Sequence, residues 1–221
     1  MKKSILLTFL MSLMMIMLIS CGGTPKELKL PNKSVKYENG VLTYKGKPYT
    51  GKIVTNLADK ISGYEGFITL KDGHLDGQTK VKSEKKKEEF ELNVKDGKFD
   101  GQYVAKMPSI GEITIVSEAG TLKKMQSNLV NGIKQDLTFN DAGLANGTME
   151  ADGQKFNFKD GSSPISGNPD AKIVLKYVKE NNSFATEVYQ GDKLIQKEEN
   201  KLEFDVNTLE SQLFPELLSG N

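Results

Sequence analysis

The sequence predicts a mostly β fold: an elongated antiparallel meander of hairpin repeats, followed by a short C-terminal capping helix. Three observations carry this expectation. Short runs alternate apolar and polar residues, as in 90–94 (FELNV), 137–139 (LTF), 173–177 (IVLKY) and 202–206 (LEFDV). Period two marks a half-buried strand. Between the runs stand Asn39-Gly40, Asp72-Gly73, Asp96-Gly97, Asn131-Gly132, Asp152-Gly153 and Asp160-Gly161. Such pairs suit type I′ hairpin turns, whose two central residues both need positive φ. Finally, residues 71–78 (KDGHLDGQ) and 95–102 (KDGKFDGQ) match at six of eight positions with an offset of 24. That offset accommodates two strands and two turns. The 21 Gly and 8% aromatics fit a turn-rich β chain better than a helical one.

From the N-terminus, Met-Lys-Lys precedes an apolar stretch over 5–19. It reads as a signal peptide over 1–20, with a basic start and an apolar centre. The stretch is shorter than the roughly 20 apolar residues that a transmembrane helix needs. It ends Leu18-Ile19-Ser20-Cys21-Gly22, which resembles a bacterial lipoprotein signal with its lipobox. The resemblance implies cleavage between Ser20 and Cys21 and lipidation of Cys21, the only Cys of the chain. A thiol is the softest nucleophile available for that transfer. The alternative is an uncleaved apolar helix with an incidental Cys. Cleavage leaves 201 residues, with no later segment long and apolar enough to span a bilayer. Residues 21–36 carry Gly, Lys and Pro without periodicity and read as a flexible tether. Gly22 after the Cys resembles the outer-membrane sorting pattern of double-membraned bacteria.

Residues 37–170 form the expected repeat region. Tyr37-Glu38-Asn39-Gly40, Pro48-Tyr49-Thr50-Gly51 and the paired blocks resemble MORN-type repeats, in the variant found in YwqK-family antitoxin repeat proteins. The resemblance implies a single elongated sheet of stacked hairpins. Gly40, Gly51, Gly73, Gly77, Gly97 and Gly101 are then structural turn residues. Weaker copies follow at 130–133 and 141–147, and Asp136 stands where the pattern after Asn131-Gly132 has its second Gly. Residues 171–221 change character: strands over 173–178, 184–189, 194–195 and 202–206, then a helix with Leu209, Leu213 and Leu217 at helical spacing. Pro215 removes a helix hydrogen bond, so one or two turns are expected, split at the proline. The helix would cap an exposed end of the sheet.

Charge and composition narrow the chemistry. The 30 basic residues are all Lys, set against 29 acids, and the net charge is +1. Without Arg, and without a net positive field, nucleic-acid recognition is not expected. One His and one Cys exclude a Cys/His zinc site, and any Ser-His-Asp triad must run through His74. No cofactor is expected. Asp72 with Asp76, and Asp96 with Asp100, are carboxylate pairs that suit Ca²⁺ in principle. However, no EF-hand spacing with a closing Glu is present, and Asp-Gly is ordinary turn chemistry. His74 is matched by Lys98 in the second block, as expected of a solvated hairpin tip. Residues 84–89 (EKKKEE) read as an exposed loop in which acids cancel any basic patch. Tyr37, Tyr44, Tyr49, Tyr64, Phe67, Phe99 and Tyr103 either line a binding face or stack as cross-strand pairs.

The expectation is therefore an exported, lipid-anchored binding or scaffolding protein of the bacterial cell envelope, without enzymatic activity. It would be attached to the membrane by its lipid and partnered by a protein or envelope component. Two alternatives stand beside it. One is a toxin-neutralising partner protein, as the repeat family implies. The other is an envelope-polymer hydrolase working through carboxylates such as Asp76 and Asp100.

Overall fold

The structure, a computed structural model, describes residues 24–55, 63–202 and 205–218. The signal peptide, Ser20 and Cys21 lie outside the described residues. The chain is mostly β, a long antiparallel meander of hairpins with one C-terminal helix and no closed barrel among the described residues. In spatial order the main sheet runs β1 (Glu27–Lys29), β5 (Gly51–Thr55), β6 (Glu65–Lys71), β8 (Gly77–Ser83), β9 (Glu88–Lys95), β11 (Gly101–Met107) and β12 (Gly111–Glu118). It continues with β13 (Thr121–Leu129), β14 (Lys134–Phe139), β15 (Ala145–Ala151) and β16 (Gln154–Phe158). Two-residue strands β7 (His74–Leu75) and β10 (Lys98–Phe99) flank it. A small sheet holds β2 (Val35–Glu38), β3 (Val41–Tyr44) and β4 (Lys47–Pro48). A second one holds β17 (Ser162–Ile165), β18 (Asn168–Val178), β19 (Ser183–Gln190) and β20 (Lys193–Lys201). Helix α1 spans Val206–Leu218.

The two Lys-Asp-Gly blocks build the same unit. Asp72-Gly73 and Asp96-Gly97 turn with positive φ at both residues, as type I′ requires. Then Leu75 pairs with Leu70, and Phe99 with Val94. Past Gly77 and Gly101 the register slips by two residues, so that Phe67 pairs with Lys80 and Glu91 with Val104. The Asp-Gly that closes each block is thus a two-residue bulge, which re-aims one continuous strand. Gly40, Gly73 and Gly97 sit in turns, whereas Gly51, Gly77 and Gly101 are the first residues of β5, β8 and β11. Asn131-Gly132 differs from its expected type. Only Gly132 has positive φ, and its N–H closes on the Leu129 carbonyl at 3.0 Å, giving a longer loop.

The tip glycines are not equivalent. A Cβ at position 73 would lie 2.3 Å from Val41 Cγ1 and 2.7 Å from the Leu42 carbonyl, whereas at position 97 nothing lies within 4 Å. Gly97→Ala carries only the cost of a left-handed residue, about 1 kcal/mol. Gly73→Ala adds overpacking and should lose about 2 kcal/mol in all. Urea unfolding of the two variants measures the difference, and equal midpoints would count against this assignment.

Pairing register sorts the sheet into two faces. On one, Thr79 faces Leu92, Tyr103 faces Ile115, and Met125 faces both Ile115 and Leu137. This is the core face. On the other, Glu65, Lys82, Glu89, Lys106 and Glu112 face one another in sequence across five strands, alternating in sign. Lys82 reaches Glu65 at 2.6 Å, and Lys80 reaches Glu91 at 3.0 Å. Opposite charges facing each other stabilise pairing modestly and leave this face to water.

Three expectations are corrected. The tether is shorter than 21–36, because β1 pairs with β5, in parallel, and Leu28 and Leu30 are buried. Two apolar residues among Lys and Pro give no run, and their partner strand lies some 25 residues away. The second sheet begins at Ser162, earlier than 171. Helix α1 is continuous over 13 residues, starts at Val206 where a strand was expected, and includes Pro215. The carbonyl that Pro215 leaves without a helix partner belongs to exposed Ser211, open to water, while Phe214 and Leu217 on the opposite side are buried.

Candidate functional site at the helix and the core face

Helix α1 packs its apolar stripe into the core on the buried face of the sheet. Its buried stripe is Val206, Glu210, Leu213, Phe214 and Leu217. The predicted Leu213 and Leu217 belong to it, and Leu209 lies at its flank. Asp205 caps the N-terminus: its Oδ1 accepts from the Thr208 N–H at 2.9 Å and its Oδ2 from the Thr208 hydroxyl at 2.6 Å. These bonds hold the Asp205 carboxyl below its usual range. Phe214 is fully buried, edge-on to Tyr37 at 5.2 Å between ring centroids.

Glu210 breaks the apolar stripe and is 2% exposed. One oxygen accepts from the backbone N–H of Leu75. The other lies 3.0 Å from His74 Nδ1. Strand β7 pairs with β6 on one side only, so its outer edge needs an acceptor, and the helix supplies it. His74 is exposed, as expected of a hairpin tip, and it also has a partner. Its ring is about half exposed, but one nitrogen is committed to a buried carboxylate. Among the described residues Lys98 has no such carboxylate partner; its aliphatic stem packs beside Gly120. The resemblance of the two blocks masked this difference. The Glu210 charge, after burial, also raises the Tyr37 hydroxyl above its ordinary pKa.

A second constellation forms where the last turn of α1 meets the β8–β9 loop. The Tyr64 hydroxyl donates to Glu88 and lies 3.1 Å from Glu216 Oε2. Lys86 Nζ lies 3.1 Å from that same Glu216 oxygen, 3.2 Å from the Tyr64 hydroxyl and 4.8 Å from the Tyr64 ring centre. Tyr64 is buried, and burial together with the Glu88 bond raises its pKa strongly. The loop over 84–87 is exposed, as expected, but Lys86 is committed to this cluster and Glu88 and Glu89 already belong to β9.

The helix leaves an open cavity on each side. One, of about 290 Å³, is lined by Phe99, Ile115, Leu122, Met125, Tyr177 and Val206, among others. The other, of about 260 Å³, lies over Phe90, Leu92, Tyr103 and Leu213, with Glu88 and Glu216 at its rim. Phe99 and Tyr103, stacked edge-on at 5.9 Å, stand between the two. Burial pushes the Tyr103 hydroxyl up to about 12.

The other predicted candidates are dispersed. Asp72 and Thr50 exchange bonds across a turn, its Oδ1 accepting from the Thr50 hydroxyl at 3.3 Å. Asp100 accepts from the Ala119 N–H at 3.0 Å. Asp76 and Asp100 sit at equivalent bulges of different repeats, not facing each other in a cleft. Among the described residues no group of three or more His, Cys, Asp or Glu is placed to hold a metal. Of the aromatics, Tyr49, Tyr64, Phe99 and Tyr103 are buried, and Tyr37 and Tyr44 pack against the core. Phe67 lies on the charged face beneath Lys52 Nζ, 4.0 Å from its ring centre. They form no exposed aromatic surface.

Glu210 and Glu216 were not singled out in the sequence, Tyr64 was read only as one of the repeat aromatics, and Glu88 only as part of an exposed charge run. For Glu210 one signal exists: a carboxylate four residues after Val206 and three before Leu213, inside an apolar stripe. Searched against protein-family models and against curated proteins, the chain matches none.

Proposed function

We propose that this protein is an exported, lipid-anchored binding or scaffolding module of the bacterial cell envelope. Its partners on this reading are the membrane, through the Cys21 lipid, and a protein or other envelope component. The observation that carries the reading is the lipobox position of the single Cys, six residues before the first strand at Glu27. Six residues reach at most about 20 Å, so the sheet would be held close to the membrane from its β1 edge. In a double-membraned host the Gly22 pattern favours the outer membrane. The matched geometry of the two Lys-Asp-Gly blocks supports the resemblance to MORN-type repeats. The cavities beside α1 give such a module concave apolar surface, the usual character of a binding site.

Lipidation is tested with radiolabelled fatty acid in a bacterial host. The wild-type chain should carry label and sediment with membranes, and Cys21→Ser should carry none, because a hydroxyl does not replace the thiol. Label on the Ser variant, or an unlabelled wild type, would overturn the anchored reading.

A further inference from the structure

The near-zero net charge hides an uneven distribution. Residues 24–55 carry seven Lys against two acids, Glu27 and Glu38, whereas 56–201 hold 21 Lys against 23 acids and 202–221 hold four acids and no Lys. The fold gathers the basic stretch at one end of the molecule. Strand β1 is the first in the order of the main sheet and pairs with β5. The small sheet is fastened nearby, at the turn before β7, where the Leu42 N–H donates to the Gly73 carbonyl at 3.0 Å. Lys26 and Lys29 stand at the β1 edge, Lys33 on the chain to β2, and Lys45 and Lys47 at the β3–β4 turn; all five are exposed. The Lys45 N–H donates to the Ser34 carbonyl at 2.8 Å, which sets that turn next to Lys33. Neighbouring acids do not cancel the excess. Glu38 is paired with Lys36 at 3.4 Å and Glu65 with Lys82 at 2.6 Å, Asp72 is preceded by Lys71, and Glu210 is buried against Leu75 and His74. The opposite edge, β16, is ten strand spacings away in the sheet order, roughly 48 Å along the sheet and several times the Debye length of about 10 Å in 0.1 M salt.

From this placement we infer that the β1 end of the folded body is a membrane-contact surface for anionic lipid headgroups, which holds the sheet with its β1 edge toward the bilayer. Charge, chemistry and position agree. A Lys close to an anionic bilayer strengthens binding about fivefold, and the effect fades within a Debye length. Five net charges at one end therefore act strongly, while the far edge of the sheet lies outside the field. The basic residues are all Lys. A compact ammonium is a point charge suited to a diffuse layer of headgroups, whereas recognition of one fixed phosphate favours the planar fork of Arg. Position supplies the remaining argument. Cys21 stands five residues before Lys26, a span of at most about 17 Å, so an anchor at Cys21 delivers this end of the body, and no other, to the headgroup layer. The inference rests on the anchored reading for that delivery. It adds that the lipid is not the only attachment and that the body has a preferred orientation, with strands β14 to β20 held away from the membrane.

The test uses the full-length protein made in a bacterial host and reconstituted into two kinds of vesicle, one of phosphatidylcholine alone and one with a third of phosphatidylglycerol. Lysines are acetylated with a water-soluble reagent, and the rate at each position is read by mass spectrometry. In 0.1 M salt Lys29, Lys33 and Lys45 should react at least tenfold more slowly on the anionic vesicles, while Lys155 and Lys193 at the other end change less than twofold. Salt at 0.5 M should remove the difference. The double variant Lys29→Glu, Lys33→Glu should speed acetylation of Lys45 on anionic vesicles several-fold; both positions are exposed, and circular dichroism checks that the fold is kept. Sedimentation separates the two readings. A protein that sediments with both vesicles but reacts equally on both is anchored without headgroup contact, which overturns this inference alone. A protein that sediments with anionic vesicles only lacks the lipid anchor and upholds the basic end. Slowing in native membranes but not on anionic vesicles would overturn the lipid as partner and assign this end to an acidic macromolecule.

Discussion

Phe214→Ala should lower the unfolding free energy by about 3–5 kcal/mol, the range for emptying a fully buried aromatic site. Phe214 has no exposed surface and stands edge-on to Tyr37. It therefore joins α1 to β2 and its small sheet. Neither partner can relax cheaply into the space, since β2 is held by pairing to β3 and the helix by its own stripe. The measurement is urea denaturation of the variant beside wild type. Truncation of a flanking residue, Leu209→Ala, supplies the scale for a partly buried position. A Phe214→Ala loss no larger than that of Leu209→Ala would mean that the helix is not docked as described.

Glu210→Ala should cost about 3 kcal/mol, for a different reason. The substitution leaves the Leu75 N–H without its acceptor, and an orphaned buried donor costs about 1–3 kcal/mol. It also removes side-chain volume from a buried stripe. Glu210→Gln keeps the shape and an oxygen for Leu75, so its cost should be much smaller. The pair of variants separates the hydrogen bond from charge: if Gln and Ala cost the same, the Leu75 bond is not what Glu210 contributes. His74→Ala should be milder than Glu210→Ala, because water can replace a half-exposed ring but not a buried backbone acceptor. A stability loss within about 0.5 kcal/mol for Glu210→Ala would place it among ordinary surface changes and contradict its burial.

The sequence was informative where the determinants are local. Strand runs such as 90–94 and 173–177 appear within β9 and β18, because alternation at period two is a property of five or six consecutive residues. Asn39-Gly40, Asp72-Gly73 and Asp96-Gly97 turn as read, because positive φ at two successive residues is itself a local demand. The exception at Asn131-Gly132 shows the limit. There the neighbouring strands admit a longer loop, and the dipeptide alone did not decide its type.

What the sequence by itself determined is therefore the β character of the chain, its turns and the near-identity of two blocks. The tertiary structure alone decided which face is buried, where α1 lands and what its polar residues meet. The reason is distance along the chain. Glu210 meets Leu75 and His74 across about 135 residues, and Glu216 meets Tyr64 across 152. No local pattern encodes such a pairing; it follows from closing the apolar stripe of one helix over the apolar face of a sheet built much earlier in the chain. The same closure overrode local rules at Pro215, where burial of Phe214 and Leu217 outweighs one missing hydrogen bond. It also drew Glu27–Lys29 into the sheet as a parallel edge strand, with the Leu30 N–H bonded to the Val54 carbonyl just beyond it. Two leucines there gain more from burial beside β5 than they lose in chain freedom.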